Sequence, residues 1–184
     1  LGEVSASERI LVSEESSGLR PAHPHVVHLQ IRRANVQGKG EVTMSELVRA
    51  AMRMRPDRIV LGECRGAEVR DVLSALNTGH EGGWATVHAN SAADVPARLV
   101  ALGALAGMGE SVVAAQASSA LDAVLYIERS GSRRRLSQIA VLVREAGELP
   151  AQVELECARQ TAVKGPGWLR LAAGVGDLGG RRAG

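Results

Sequence analysis

The residues able to do chemistry stand at the ends of three short apolar runs. Glu14 and Glu15 close RILVS at 9–13, Glu63 closes RIVLG at 58–62, and His88 ends WATVH at 84–88. Each run reads as a buried strand, so an acid or an imidazole is delivered at the carboxyl end of each. Parallel strands would set these groups along one edge, where acid, acid and imidazole can activate a water beside an anionic substrate. Arg65 and Gly66 follow Glu63 at the start of the next helical segment. There a guanidinium can meet phosphate oxygens in bidentate fashion, and a helix amino terminus favours negative charge. The plainer alternatives are a surface pair of Arg65 with Glu68, and strand-end acids that cap turns. His80 and His88 flank Gly82-Gly83 in TGHEGGWATVHAN, so both can face one pocket. With no Cys or carboxylate at ligand spacing, the two make a poor zinc signature.

The elements that must position these residues are legible from periodicity. Thr43 and Glu46 form a capping-box pattern, and Met44, Leu47, Val48, Ala51 and Met52 fall on one helical face, with Pro56 marking the end. A second helix is predicted over 67–77, striped by Val69, Val72, Leu73 and Leu76, with Gly79 as its C′ residue. Ser91 and Asp94 repeat the capping box before a helix striped by Val95, Leu99 and Leu102. HVVHLQI at 25–31 is strand-like, and an Ala/Ser-rich helix is expected over 110–120. Strand, helix, strand, helix at this spacing calls for an α/β fold, a parallel sheet whose crossover helices bury their stripes against it. AVLYIER and LSQIAVLVRE around Ser130, Gly131 and Ser132 predict a β-hairpin, and VELECA a last strand. The Gly/Arg-rich end after Leu171 reads as disordered. The division expected is one domain over 1–150, with 151–184 a terminal strand and tail.

Composition narrows the function classes. The 184 residues carry 45% hydrophobic and 23% charged residues and no run of about 18 apolar residues that a membrane span needs. Phe is absent, and Trp84, Trp168 and Tyr126 are the only aromatics, which weakens a base-stacking role. Twenty-two basic residues, all but Lys39 and Lys164 arginine, stand against 20 acidic ones, so the net charge of +2 gives no global field for nucleic acid. Direct nucleic-acid binding is not expected, and the run Arg133 to Arg135 reads as a solvated hairpin. Two distant cysteines, Cys64 and Cys157, and the absence of a signal peptide suit the cytoplasm.

RPDRIVLGECRGAE, LNTGHEGGWATVHANSAADVPARL and ERILVSEESSGLRP, with the GEVTMSELVRAAMRM helix, span residues 8–108. Together they resemble the type II/type IV secretion system ATPases, closest to the tight-adherence pilus or conjugal-transfer branch. The resemblance implies a RecA-like P-loop NTPase core, incomplete here, and residue roles. Glu14 and Glu15 match the family's Asp box, with Glu15 where Asp is usual, and Glu63 matches the Walker B glutamate. Glu63 and Glu15 would then act on Mg²⁺ through water. His80 and His88 match the His box that senses the γ-phosphate, and Arg65 the arginine after Walker B. It further implies ATP and Mg²⁺ as cofactors, a homohexamer, an inner-membrane platform protein as partner, and a place at the inner face of the membrane. The 184 residues contain no GxxxxGK[ST]; Gly38-Lys39-Gly40 has Arg33 and Gly40 where a P-loop needs Gly and a hydroxyl. The expectation is a chain that starts downstream of the P-loop helix and, alone, neither binds nor hydrolyses ATP. The alternative is a non-enzymatic subunit of an oligomer.

Overall fold

The architecture was obtained as a computed structural model that describes residues 1–80, 82–145, 148–157 and 162–164. The chain divides into two compact units, Leu1–Val87 with Ala101–Gly109, and His88–Val100 with the described residues from Glu110 on.

The first unit is built on β1 (Ile10–Glu14), β2 (Val26–Gln30), β3 (Arg58–Leu61) and β4 (Trp84–Ala85), all parallel in the order β2-β1-β3-β4. Every residue of β1 is buried, as expected of a central strand covered on both faces. Ile10, Val12 and Val60 form one apolar cluster, onto which Leu1, Val4 and Val26 pack. Helix α1 (Met44–Arg53) starts at the predicted capping box: the Thr43 hydroxyl accepts the Glu46 N–H, and the Glu46 carboxylate accepts the Thr43 N–H at 2.7 Å. It buries Leu47, Val48 and Ala51 and crosses between β2 and β3. Helix α2 (Val69–Leu76) crosses from β3 to β4 and is shorter than predicted, because residues 67–68 form a turn that the Glu68 side chain holds. Asn77 is its C-cap, so Gly79, at φ +92°, falls one position beyond the predicted C′.

WATVH proves a strand only over Trp84–Ala85. The Ser91–Asp94 box forms differently as well. Ser91 Oγ bonds the Asp94 carboxylate at 2.8 Å and caps no backbone N–H, and Ala92–Asp94 is a 3₁₀ turn ahead of α3 (Val95–Leu105). Val95, Leu99 and Leu102 are buried as the stripe required. Helix α4 (Glu110–Ala120) matches its expected span.

The second unit holds an antiparallel sheet of β5 (Val124–Ser130), β6 (Arg133–Leu142), β7 (Ala151–Cys157) and β8 (Ala162–Lys164), in that order. The predicted hairpin is its first half, with Gly131 at φ +63° in the turn. β7 pairs along β6, so Ala151–Cys157 belongs to the hairpin's own sheet. β8 had no counterpart in the sequence reading, and the tail after Leu171 lies outside the described residues. Among the described residues no helix is long and apolar enough to cross a membrane.

Candidate active site at the sheet edge

The strand order reverses between β1 and β3. From β1 the chain passes outward to β2, then returns across β1 to β3 and continues outward to β4. The connections from the two central strands thus diverge, and a crevice opens at their carboxyl ends, where open α/β sheets bind ligands. Glu14 ends β1, Glu15 follows it, and Glu63 stands two residues past β3, so the register brings all three acids to this edge.

Their environments separate their roles. Glu14 is only 6% exposed, and its Oε1 accepts the backbone N–H groups of Gly18 at 3.1 Å and Leu19 at 3.0 Å. It holds the loop that leaves β1. His28 Nδ1 lies 3.9 Å from its other oxygen. Glu15 and Glu63 instead share Arg65, whose Nε is 2.5 Å from Glu63 Oε1 and whose terminal nitrogen is 3.0 Å from Glu15 Oε2. Arg33 takes the remaining oxygen of Glu15 at 2.9 Å. The Arg65 guanidinium holds its proton more tightly than an ordinary arginine, first through the hydrogen bond to Glu63, then through that carboxylate's charge, with Glu15 adding to it. It is a fixed cation between two carboxylates.

The alternative pairing of Arg65 with Glu68 takes another form. Glu68 Oε1 accepts the backbone N–H groups of Arg65 at 2.6 Å and Gly66 at 2.8 Å, and the Arg65 side chain is left for Glu63 and Glu15. A carboxylate thereby sits on the paired amides that the sequence suggested for an anion.

Two clefts of about 250 Å³ meet at these residues. One is lined by Glu14, Glu15, Ser16, Gly62, Glu63 and Arg65. The other shares Glu15, Glu63 and Arg65 and extends past Arg33 to Thr43 and Met44 at the start of α1.

The histidines are placed differently. His80 Nδ1 donates to the Ala75 carbonyl at 3.0 Å, closing the end of α2. The turn after it lies at the amino end of β3: the Gly82 carbonyl accepts from Arg58 at 3.2 Å, and a β-carbon on Gly83 would meet the Ile59 carbonyl. The structure therefore sets His80 at the opposite edge from Glu63. Thr86 follows β4 at the acidic edge, where its carbonyl accepts the Cys64 N–H at 2.8 Å and its hydroxyl donates to the Gly62 carbonyl. His88 comes two residues later as the first residue of the second unit.

Arg33 and Glu68 were not singled out as site residues from sequence. Arg33 was reachable, since it follows β2 at the same edge; Glu68 was seen as an ion-pair partner, while its bond to main-chain amides depends on a turn that no periodicity signals.

The profile of the family described as "Type II/IV secretion system protein" matches residues 1–161. MT3759 of Mycobacterium tuberculosis (strain CDC 1551 / Oshkosh), provisionally named as a conjugal transfer protein, is 55% identical over 152 residues, 82% of this chain and 43% of its own. The type IV secretion system protein PtlH of Bordetella pertussis (strain Tohama I) is 38% identical over 148 residues, 75% of this chain and 43% of its own. Among solved structures, the VirB11 ATPase of the Brucella suis type IV secretion system, in complex with sulphate, matches with a TM-score of 0.63 and 26% identity over 74% of this chain and 41% of that one. The chain spans less than half the length of each of these relatives. By profile, by sequence and by fold, this chain belongs to the type II/IV secretion system protein family.

Proposed function

We propose that the sheet edge is the hydrolytic half of an ATP site, and that the chain is part of a motor driving pilus assembly, secretion or conjugal transfer. The observation that carries this reading is Arg65 held between Glu63 and Glu15 in the crevice between β1 and β3. The donor set is oxygen alone, from one or two carboxylates, which fits Mg²⁺, a cation that keeps several waters and takes its remaining ligands from phosphate. Bound Mg·ATP would supply the electrophilic phosphorus and the charge that draws a water into line.

The chain's own residues do the rest. Glu63 orients the attacking water and accepts its proton. Arg65 moves from carboxylate to phosphoryl oxygen as negative charge develops, for which its planar fork is suited. Glu15 positions Arg65, and Glu14 fixes the loop that carries Glu15's neighbours. His88 reads the γ-phosphate, and His80, if it does so too, must leave the end of α2. The phosphate cradle comes from a segment outside these 184 residues, since none of them forms GxxxxGK[ST]. The motor would work as a hexamer at the inner face of the membrane, against a platform protein embedded there.

The test joins a segment that carries GxxxxGK[ST] ahead of this chain and measures ATP hydrolysis with Glu63 intact and as Glu63→Gln. A fall of about a hundredfold or more is expected, the size typical of losing a general base. Undiminished hydrolysis would remove Glu63 from the chemistry, and no hydrolysis by the parent chimera, with ATP still bound, would favour a non-enzymatic subunit.

A further inference from the structure

The two faces of the β5–β6 hairpin are made differently. One carries Tyr126, Glu128 and their partners. The Tyr126 hydroxyl donates to the Asn90 carbonyl at 2.5 Å, Gln138 accepts the Ala92 N–H at 3.2 Å, and Glu128 pairs with Arg135 at 3.0 Å. That face is covered by the segment around the 3₁₀ turn, and its charges are matched across the strands.

Among the described residues, the other face is the exposed one. Alternation along β5 puts Leu125, Ile127 and Arg129 on it, and the register sets Ile139, Leu136 and Arg134 opposite them in turn. Leu125, Ile127 and Leu136 are 40%, 59% and 36% exposed. Beside this apolar ladder Arg129 stands directly across from Arg134, and like charges in that position weaken a sheet. Among the described residues neither arginine has a carboxylate within ion-pair distance; Arg129 Nε donates only to the Gly131 carbonyl, at 3.1 Å. A strand pair that matches Arg135 with Glu128 on one face thus sets arginine against arginine on the other, next to exposed leucine and isoleucine.

We propose that this face docks on an anionic lipid surface, the Arg129–Arg134 rung on headgroup phosphates and Ile127, Leu136 and Leu125 at the acyl boundary. Guanidinium groups are weakly hydrated and pair with phosphate in bidentate fashion, so the anion that would relieve the rung is a phosphate in its plane. The apolar ladder distinguishes the partners. A nucleic acid backbone offers nothing to Leu125, Ile127 and Leu136, and among the described residues the face carries no aromatic ring on which a base could stack. A second copy in a two-fold contact would bring four arginines together. A lipid interface satisfies both halves, charge at the headgroups and hydrocarbon just beneath.

The inference bears on the membrane side of the function proposed above and not on its nucleotide chemistry, and it is tested without ATP. The chain is sedimented with vesicles of equal parts phosphatidylglycerol and phosphatidylcholine, and with phosphatidylcholine alone. Binding to the anionic vesicles, weaker by about tenfold or more in the double variant Arg129→Gln/Arg134→Gln, is expected from the loss of two charges at the surface. Ile127→Thr, which keeps a β-branched residue in the strand, should weaken it several-fold. Both changes relieve strain or exposure, so a retained far-ultraviolet dichroism spectrum is expected alongside. The proposal fails if the arginine variant binds as the parent does, or if both vesicle types bind equally. Binding to duplex DNA that outcompetes the vesicles and is indifferent to Ile127→Thr would overturn it in favour of a nucleic acid, and concentration-dependent dimerisation abolished by Ile127→Thr would overturn it in favour of self-association.

Discussion

Gly62 stands so close to Glu14 that a β-carbon there would lie 2.9 Å from the Glu14 Cγ and 3.4 Å from the Ser13 carbonyl oxygen. The residue just past β3 therefore has no side chain because the buried acid at the end of β1 fills its space. Gly62→Ala is expected to push Glu14 off its loop and to cost about 1–3 kcal/mol, as overpacking a filled site does. Urea unfolding monitored by circular dichroism measures it, and a change smaller than the error of the method would show that Glu14 has room to yield.

Glu14 itself is expected to be a stability residue. Glu14→Ala strips the acceptor from the Gly18 and Leu19 amides and should cost about 1–3 kcal/mol, while opening residues 15–25 to proteases. Glu14→Gln, which retains one carbonyl oxygen for the same amides, should lose less. Equal losses in the two variants would mean that charge, rather than the hydrogen bonds, fixes the loop.

Arg65 reaches Glu63 and Glu15 through different nitrogens of one planar group. A lysine has a single nitrogen and cannot make both contacts in that geometry. In the P-loop-bearing chimera, Arg65→Lys is expected to reduce kcat/KM by about tenfold or more, with little recovery relative to Arg65→Ala. Steady-state hydrolysis decides it, and full activity in the lysine variant would leave Arg65 a point charge only.

The cap of α1 has a pH signature. The Thr43 backbone N–H, then the Thr43 hydroxyl, hold the Glu46 carboxyl below its ordinary range. A group whose folded value is depressed stabilises the fold above its unfolded value and loses that contribution as pH falls through the folded one. The difference in urea midpoint between the parent and Glu46→Ala should therefore be constant near neutrality and shrink once the pH drops below about 4. A difference that persisted unchanged into strong acid would assign it to helix propensity alone.

Much of this was legible in the residues, and the failures share a cause. Short runs such as RILVS and RIVLG are apolar throughout, which only a strand covered on both faces requires, and their ends located Glu14, Glu15 and Glu63. The Thr43–Glu46 box is a local signal and held. The Ser91–Asp94 box has the same letters, yet there the two side chains bond each other and the backbone takes a 3₁₀ turn. His80 looked equivalent to His88 because both flank a glycine pair, but a crossover helix ends at the edge opposite the one where it began. A residue at the end of α2 is thus on the far side from Glu63, a fact of topology that spacing does not carry. Cys64, between Glu63 and Arg65, is a packed thiol at 2% exposure.

The row of charge at the sheet edge also makes ionic strength a variable of the site. Along the chain Arg33, Glu15, Arg65, Glu63, side-chain exposure runs 84%, 41%, 61% and 23%, so its outer links stand in water and its last member does not. At a screening length of about 8 Å in physiological salt, exposed pairs weaken first. Raising salt should dissolve the link of Arg33 to Glu15 before that of Arg65 to Glu63, turning a four-membered network into a single pair. In dilute buffer an arriving phosphate competes with both carboxylates for Arg65. In salty solution it competes chiefly with Glu63, the partner that the proposed chemistry needs beside it.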